Sequence, residues 1–427
     1  MVGYLHFSDD FLEHLRTQVD LVALIGQEVA LKRSGKHMIG CCPFHEEKTP
    51  SFHVSPEKRS YRCYGCGAYG DAIEWVRHRQ HLSFHEAVAH LANLCGVTMP
   101  KPENSREERQ QRKHLAAHYQ VLQEAARIFT RGLDKSPTAR KYLHEQRGLT
   151  QETISAFGLG VVAKGIIGLL TARKDALLAA GLAVQGDNNA VYDLFRHRIM
   201  VPIHNENGNL IGFAGRTMSK RADTPKYINS PETELFHKAR ELYGLHLAKP
   251  AITETGTAIV VEGYFDVISL HQAGERRAVA PMGTALTSPQ ARRLLMRADN
   301  IVLAFDGDAA GRKAALSAAS ILLEELTDEK TARILFLPDG EDPDSFIRTH
   351  GLEAWQHQLE QSLPLSALLS DYVSASGIDK SIPETQVAAA RRALAILAHI
   401  QRAPIYARAL QASFEHLIGI QMEGLTT

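Results

Sequence analysis

The chain has 427 residues, with 48 Lys+Arg balancing 48 Asp+Glu, 44% hydrophobic residues and 22% charged residues. That length holds two or three domains, and the composition excludes a disordered chain, a collagen-like fibre and a disulfide-stapled mini-protein. No apolar run approaches the roughly 20 residues a membrane helix needs, and the MVGYLHFSDD start lacks a basic end followed by an apolar stretch, so a cytoplasmic protein without a membrane partner is expected.

Along the chain, FLEHLRTQVDLVALIGQ places Phe11, Leu15, Val19 and Val22 three to four residues apart, which predicts a helix over 11–27. Residues 31–70 read as short strands and turns rich in Gly, Pro, Cys and His. A second helical run, DAIEWVRHRQHLSFHEAVAHLANLCG, closes a module spanning 1–100. KPENSREERQQRKH, residues 101–114, is a linker whose Glu, Gln and Arg favour the first turns of a helix. Residues 115–180 are largely helical by periodicity. From about 190 to 250 strands and loops take over, with RHRIMVPIHNENGNLIGFAGRTM as a hairpin turning at Asn207-Gly208. These two stretches make a mixed α+β subdomain over 115–250. Over 251–350, TAIVV, AVAPMG, NIVLAFD and ARILFLP alternate with helical segments, the pattern of a parallel sheet with crossover helices. The tail, 351–427, reads as helical.

Five cysteines lie at 41, 42, 63, 66 and 95. Cys42-Pro-Phe-His45 and Cys63-Tyr-Gly-Cys66 form a C-x2-H…C-x2-C pattern. Two such knuckles complete a tetrahedral Cys3His zinc site, and Gly65 and Gly67 suit their tight turns. Four protein ligands leave no open position, so the zinc is structural. Cys41 competes for the first ligand, but only Cys42 has the right spacing to His45. Cys95 reads as core, and His37 and His53 as solvated loop residues. Lys48, Phe52, Lys58, Arg59, Tyr61, Arg62 and Tyr64 surround the site and offer either cations and stacking rings for a nucleic acid or an ordinary ribbon surface and core.

Three apolar strands end in acids: Glu262 and Asp266 in IVVEGYFD, Asp306 and Asp308 in VLAFDGDAAGR, and Asp342 and Asp344 in ILFLPDGEDPD. Ligands of open parallel sheets bind outside the carboxyl ends of the strands, so neighbouring strands would gather six carboxylates on one rim. Hard oxygen ligands that keep water favour Mg2+ or Mn2+, the ions of phosphoryl chemistry. The alternative is that these acids only cap helices, Asp308 above all.

With these residues in view, the sequence resembles a bacterial primase of the DnaG type. CPFHEEKTPSFHVSPEKRSYRCYGCGAYGDAIEWV resembles that family's zinc-binding domain. VEGYFDVISL, FDGDAAGRKAA and EDPDSF resemble its Toprim fold, while RHRIMVPIHNENGNLIGFAGRTM and TPKYINSPETELFHKARELYGL resemble its N-terminal polymerase subdomain and basic ridge. The likeness runs from about residue 7 to 420. It implies an α/β protein with an N-terminal zinc ribbon, a mixed polymerase subdomain, a Toprim parallel sheet and a C-terminal helical subdomain. It also implies a DNA primase that copies single-stranded DNA into a short RNA primer from ribonucleoside triphosphates, with zinc in the ribbon and Mg2+ or Mn2+ at the acids. By the same likeness Glu262 is the general acid/base, the Asp pairs are metal ligands, and the ribbon helps choose the start site. Arg147 in RGLTQETI, Arg216 in GFAGRT, Lys226 and Asn229 in TPKYINSPET and Lys238 in FHK match its template- and nucleotide-contacting residues.

The family's helicase-binding domain does not follow SFEHLIGIQMEGLTT, which fits either a fragment or a phage or mobile-element primase. The resemblance further implies a replicative helicase and a single-stranded DNA-binding protein as partners. Two other classes share parts of the pattern. A Toprim nuclease would cut DNA without nucleoside triphosphates, and a non-catalytic binder would have no need of intact acids at three strand ends.

Overall fold

The computed structural model describes residues 7, 9–80, 82–99, 106–170, 174–187, 189–219, 223–283 and 285–422. The chain divides between residues 111 and 112 into two units, each with its own apolar core.

In the first unit, strands β1 (Lys32–Ser34), β2 (His37–Gly40), β3 (Phe52–Ser55), β4 (Ser60–Cys63) and β5 (Tyr69–Gly70) pair antiparallel in chain order. Period-2 alternation on β4 turns Tyr61 and Cys63 inward and Arg62 outward. Phe52 and Tyr61 stack at 5.2 Å over the buried Trp75, so both rings are core and do not belong to a stacking surface for bases. The helix predicted over 11–27 is two helices, Asp9–Gln18 and Leu21–Gly26. Asp20 interrupts it as an N-cap, accepting from the Ala23 amide at 3.0 Å. The run after residue 70 is likewise split into Ala72–Gln80 and Phe84–Leu94 by a Ser83–Glu86 capping box.

Of the linker at 101–114, residues 101–105 lie outside the described residues. From Arg106 the backbone is helical to Asp134. The second unit continues with helix Pro137–Lys141, a π-helical turn Tyr142–Gln146 and helix Gln151–Ala156. A short strand, β6 (Gly160–Val162), lies where helix was expected. Strands β7 (Ala183–Gln185) and β8 (Val191–Asp193) pair by themselves. β9 (Arg198–His204) and β10 (Leu210–Thr217) form the predicted hairpin, closed by Asn205 N–H to Asn209 O at 2.9 Å with Gly208 at φ 78°. With β11 (Tyr227–Asn229) they give the order β11-β10-β9-β6.

The next sheet is built from β12 (Thr257–Val260), β13 (Ala278–Val279), β14 (Asn300–Phe305), β15 (Thr331–Phe336) and β16 (Leu363–Pro364), in the order β13-β12-β14-β15-β16. The first four are mutually parallel and β16 is antiparallel, a strand inside the tail that read as helical. Val260, Leu303 and Ile334 pack into one core and Ile259, Val302 and Leu335 into another. The sheet is therefore covered on both faces, which is why its strands read as unbroken apolar runs. Helices Leu365–Ser374, Pro383–Ala398 and Pro404–Ile418 complete the first of these cores through Leu369, Ala393 and Phe414.

Candidate metal centre and active site

The ribbon brings Cys42, His45, Cys63 and Cys66 together, with one ligand atom from each within 4.8 Å of all the others. Cys42 Sγ lies 3.7 Å from Cys66 Sγ, and Cys63 Sγ lies 3.8 Å from His45 Nδ1. A tetrahedral zinc with Zn–S bonds of about 2.3 Å separates its sulfurs by about 3.8 Å, so the donors fit that ion. Cys41 is exposed and stands outside the cluster. A Cβ on Gly65 would come within 2.7 Å of His45 Nε2, so the second knuckle needs glycine there.

Backbone amides prepare the thiols. Phe44 N–H donates to Cys42 Sγ, and the Gly65 and Cys66 N–H groups donate to Cys63 Sγ. Burial pushes the Cys42 thiol up to about 12. At Cys63 burial also raises the pKa, but the Ser51 hydroxyl and those two amides outweigh it and bring the thiol down to about 7.

Glu47 was not singled out from the sequence. It accepts from the Cys42 amide at 2.6 Å, the Ser51 amide at 3.1 Å and the Ser51 hydroxyl at 2.5 Å, and it sits 3.3 Å from His45 Nε2. His45 Nδ1 thus faces the sulfurs while a carboxylate takes the opposite nitrogen, the arrangement that orients a metal-bound imidazole. Its only sequence signal was a Glu two residues after the His ligand. Tyr64 and Tyr69 are exposed, and Arg62 lies over the Tyr64 ring at 5.4 Å. His53 is on β3 rather than in a loop, opposite Arg62 and 4.9 Å from Tyr64.

In the second unit, β12, β14 and β15 are adjacent: β14 and β15 end together at the Phe305–Phe336 pair, and β12 ends at Val260, paired with Leu303 two residues before. Glu262, Asp306 and the loop to Asp342 therefore leave neighbouring strands on one rim. A Cβ on Gly307 would collide with the Leu337 carbonyl, so only glycine lets the Asp306–Asp308 turn lie this close to the β15 loop. Asp308 caps the helix Ala309–Glu325, its Oδ1 accepting from Gly311 N at 2.7 Å. Asp342 does the same for Pro343–Glu360 through Ser345 N at 2.7 Å. Each cap engages one carboxylate oxygen, so capping and metal binding are compatible.

The acids sense one another. Burial, then Asp306 and Asp308, raises the pKa of Glu262. Burial, then Asp342 and Asp308, raises that of Asp306, against the lowering pull of Lys226. Asp266 accepts the Gly263 N–H at 2.8 Å. Its pKa is pushed up to about 7 by burial, then by Asp342, Asp344 and Asp306. No three of these acids bring oxygens within 4.8 Å of one another. Such spacing suits an ion that keeps much of its water and takes only one or two carboxylates.

Asp344 differs from the rest. It is buried, with Oδ1 accepting from Ser269 Oγ at 2.6 Å and Arg348 Nε at 2.9 Å, and Oδ2 bonded to Arg147 Nη1. Arg147 also donates to Tyr142 Oη at 2.8 Å and lies 4.6 Å from the Phe265 ring. Arg216, on β10, stands 4.8 Å from the Tyr142 ring, and its buried Nε has no hydrogen-bond partner. Asn229 donates to Met282 O and accepts from Tyr264 Oη. Lys226 is exposed, and Lys238 lies in the following loop with its amide on Glu232. Arg147 and Arg216 thus share one aromatic cluster, Lys226 faces the acids, and Lys238 stands in a separate loop. Tyr142, Phe265, Ser269 and Arg348 escaped sequence reasoning, because nothing local marks residues that meet across such separations.

Residues 7–107 match the family model of the CHC2 zinc finger, 128–249 that of the DNA primase catalytic core, N-terminal domain, and 259–347 that of the Toprim-like domain. The DNA primase of Escherichia coli K12 is 39% identical over 91% of this chain and 68% of its own length. The chain belongs to the bacterial DNA primase family. The DNA primase of Neisseria meningitidis serogroup A is 40% identical over 97% of the chain and 71% of its own length. Among solved primases, the zinc-binding and RNA polymerase domains from Aquifex aeolicus share 33% identity at a TM-score of 0.62, covering 98% of both chains. A DnaG primase catalytic domain bound to single-stranded DNA shares 36% identity at a TM-score of 0.63, over 71% of this chain and 99% of that one. As a member of this primase family, the protein is an enzyme that makes RNA primers for DNA replication. Its ribbon has the ligands of a structural zinc, and its Toprim sheet is of a kind that uses divalent metal.

Proposed function

We propose that the rim formed by β12, β14 and β15 is the nucleotidyl-transfer centre, with Mg2+ or Mn2+ held by Glu262, Asp306, Asp308 and Asp342. The observation that carries this reading is the alignment of three acid-bearing strand ends, where burial and then the neighbouring acids raise the pKa of Glu262 and of Asp306, with Lys226 pulling that of Asp306 down. Bound divalent metal would lower the pKa of the primer 3'-hydroxyl and stabilise charge on the α-phosphate it attacks, with pyrophosphate leaving. Glu262, at the rim with a raised pKa, accepts and returns the proton. Asp344 holds Arg147 against Phe265 and Tyr142, which keeps that cation beside the acids. Arg216, Lys226, Asn229 and Lys238 grip phosphates of template and nucleotide.

The single-stranded template also crosses the ribbon face of Arg62, Tyr64 and Tyr69, where one cation stands beside two exposed rings. The corresponding division is a zinc-binding domain at 1–100, a linker at 101–114, the polymerase subdomain at 115–250, Toprim at 251–350 and helices to 427. A cytoplasmic enzyme working beside a replicative helicase and a single-stranded DNA-binding protein completes this reading. Among the described residues no helix is long and apolar enough to cross a membrane.

The test is radiolabelled ribonucleotide incorporation on single-stranded DNA with Mg2+ or Mn2+. Wild type should yield short RNA, Asp306→Ala should lose at least about 100-fold, and Cys63→Ala should fail at initiation. Clipped DNA without RNA would replace this reading with a nuclease.

A further inference from the structure

Among the described residues, one more set of metal-ligating side chains converges outside the ribbon and the acid rim. His114 and His118 stand four residues apart on the Arg106–Asp134 helix, which puts both rings on one face, with centroids 4.2 Å apart. Glu234, from the loop after β11, reaches them. Its Oε2 is 3.3 Å from His114 Nδ1, and one ligand atom from each of the three residues lies within 4.8 Å of the other two.

The strongest indication is His118. The residue is only 4% exposed, yet its Nδ1 is buried without a hydrogen-bond partner. An orphaned buried nitrogen costs about 1–3 kcal/mol, and a metal ion held by these three residues would accept its lone pair and offset that cost. The loop is also held in place for that role. Thr233 Oγ1 accepts from the Leu235 amide at 3.2 Å and the Phe236 amide at 3.0 Å, and Phe236 is fully buried.

We propose that His114, His118 and Glu234 bind a divalent transition ion of the zinc class, which staples the helix to the β11–Lys238 loop. Two imidazoles and one carboxylate match the preferences of Zn2+ and disfavour Mg2+ and Ca2+, which take oxygen. Three protein ligands leave a fourth position for water. The sequence signal is H-x3-H, which reads as metal binding only once a third ligand arrives from elsewhere. The site is independent of the acid rim, and its test is independent of primer synthesis.

The full chain is dialysed against low free Zn2+ and its zinc content is measured for wild type, His114→Ala and the double variant His114→Ala/Glu234→Ala. Both side chains are more than half exposed, so these changes leave the core intact. Wild type should hold one zinc equivalent more than either variant, all three retaining the ribbon zinc. In the Co2+-loaded protein, the ribbon should give sulfur-to-cobalt charge transfer in every form, while wild type alone should add ligand-field absorption without it. Equal zinc content in all three proteins would overturn the assignment, as would an extra equivalent that persists in both variants.

Discussion

Asp266 is a carboxyl strongly changed by its surroundings. Its ordinary pKa is 3.8 and its folded value is about 7, because it is buried beside Asp342, Asp344 and Asp306. Between those two values the native state binds more protons than the unfolded chain, so stability should fall as pH rises through that window and stay lower above it. Asp266→Asn removes the charge while keeping an oxygen for the Gly263 amide. Without added Mg2+ or Mn2+, the variant should melt roughly 3–6 °C above wild type at pH 8 and together with it near pH 4. Parallel melting curves across this range would show that the crowding of acids is not felt at Asp266. Glu47 presents the opposite case, a carboxylate whose pKa is lowered, chiefly by the Ser51 hydroxyl. Glu47→Ala should cut zinc affinity about 10–100-fold by releasing His45 and the Cys42 amide together, as read by competition with a chromophoric chelator.

At the scale of elements, Asp344 joins three segments that are remote in sequence. It ties the π-helical turn through Arg147, the Tyr264–Ala273 helix through Ser269 and its own helix through Arg348. Truncating one member of a buried ion-pair network leaves uncompensated charge, so Asp344→Ala should lose about 3–5 kcal/mol in urea denaturation. Asp342→Ala, which removes an N-cap, should lose only about 1 kcal/mol. Equal losses would show that Asp344 is no more than another helix cap. Asp342 caps its helix with one oxygen and acts on Asp306 and Asp266, while Asp344 is buried in bonds to Arg147, Ser269 and Arg348.

Across the whole molecule, each unit has its own core and one of the two tryptophans: Trp75 in the first and Trp355 in the second, both buried. Stripping zinc should open the ribbon, whose buried residues include Cys42 and Cys63, without unfolding the second unit. With Trp355→Phe, chelation should red-shift the remaining emission from Trp75; with Trp75→Phe, the Trp355 emission should hold. A joint shift would mean that the two units unfold as one. Much of this organisation was legible from residues alone. Ligand spacing named Cys42, His45, Cys63 and Cys66, since knuckles are local. Apolar runs ending in acids marked β12, β14 and β15, since a strand buried on both faces writes its burial into consecutive residues. Asp20 and the Ser83–Glu86 pair were readable helix stops that periodicity overrode. What only the tertiary structure decided are the partnerships of Asp344 with Arg147, of Arg216 with Tyr142, and of His114 with Glu234. Each depends on which distant side chains the fold brings side by side, and short-range pattern carries no record of that.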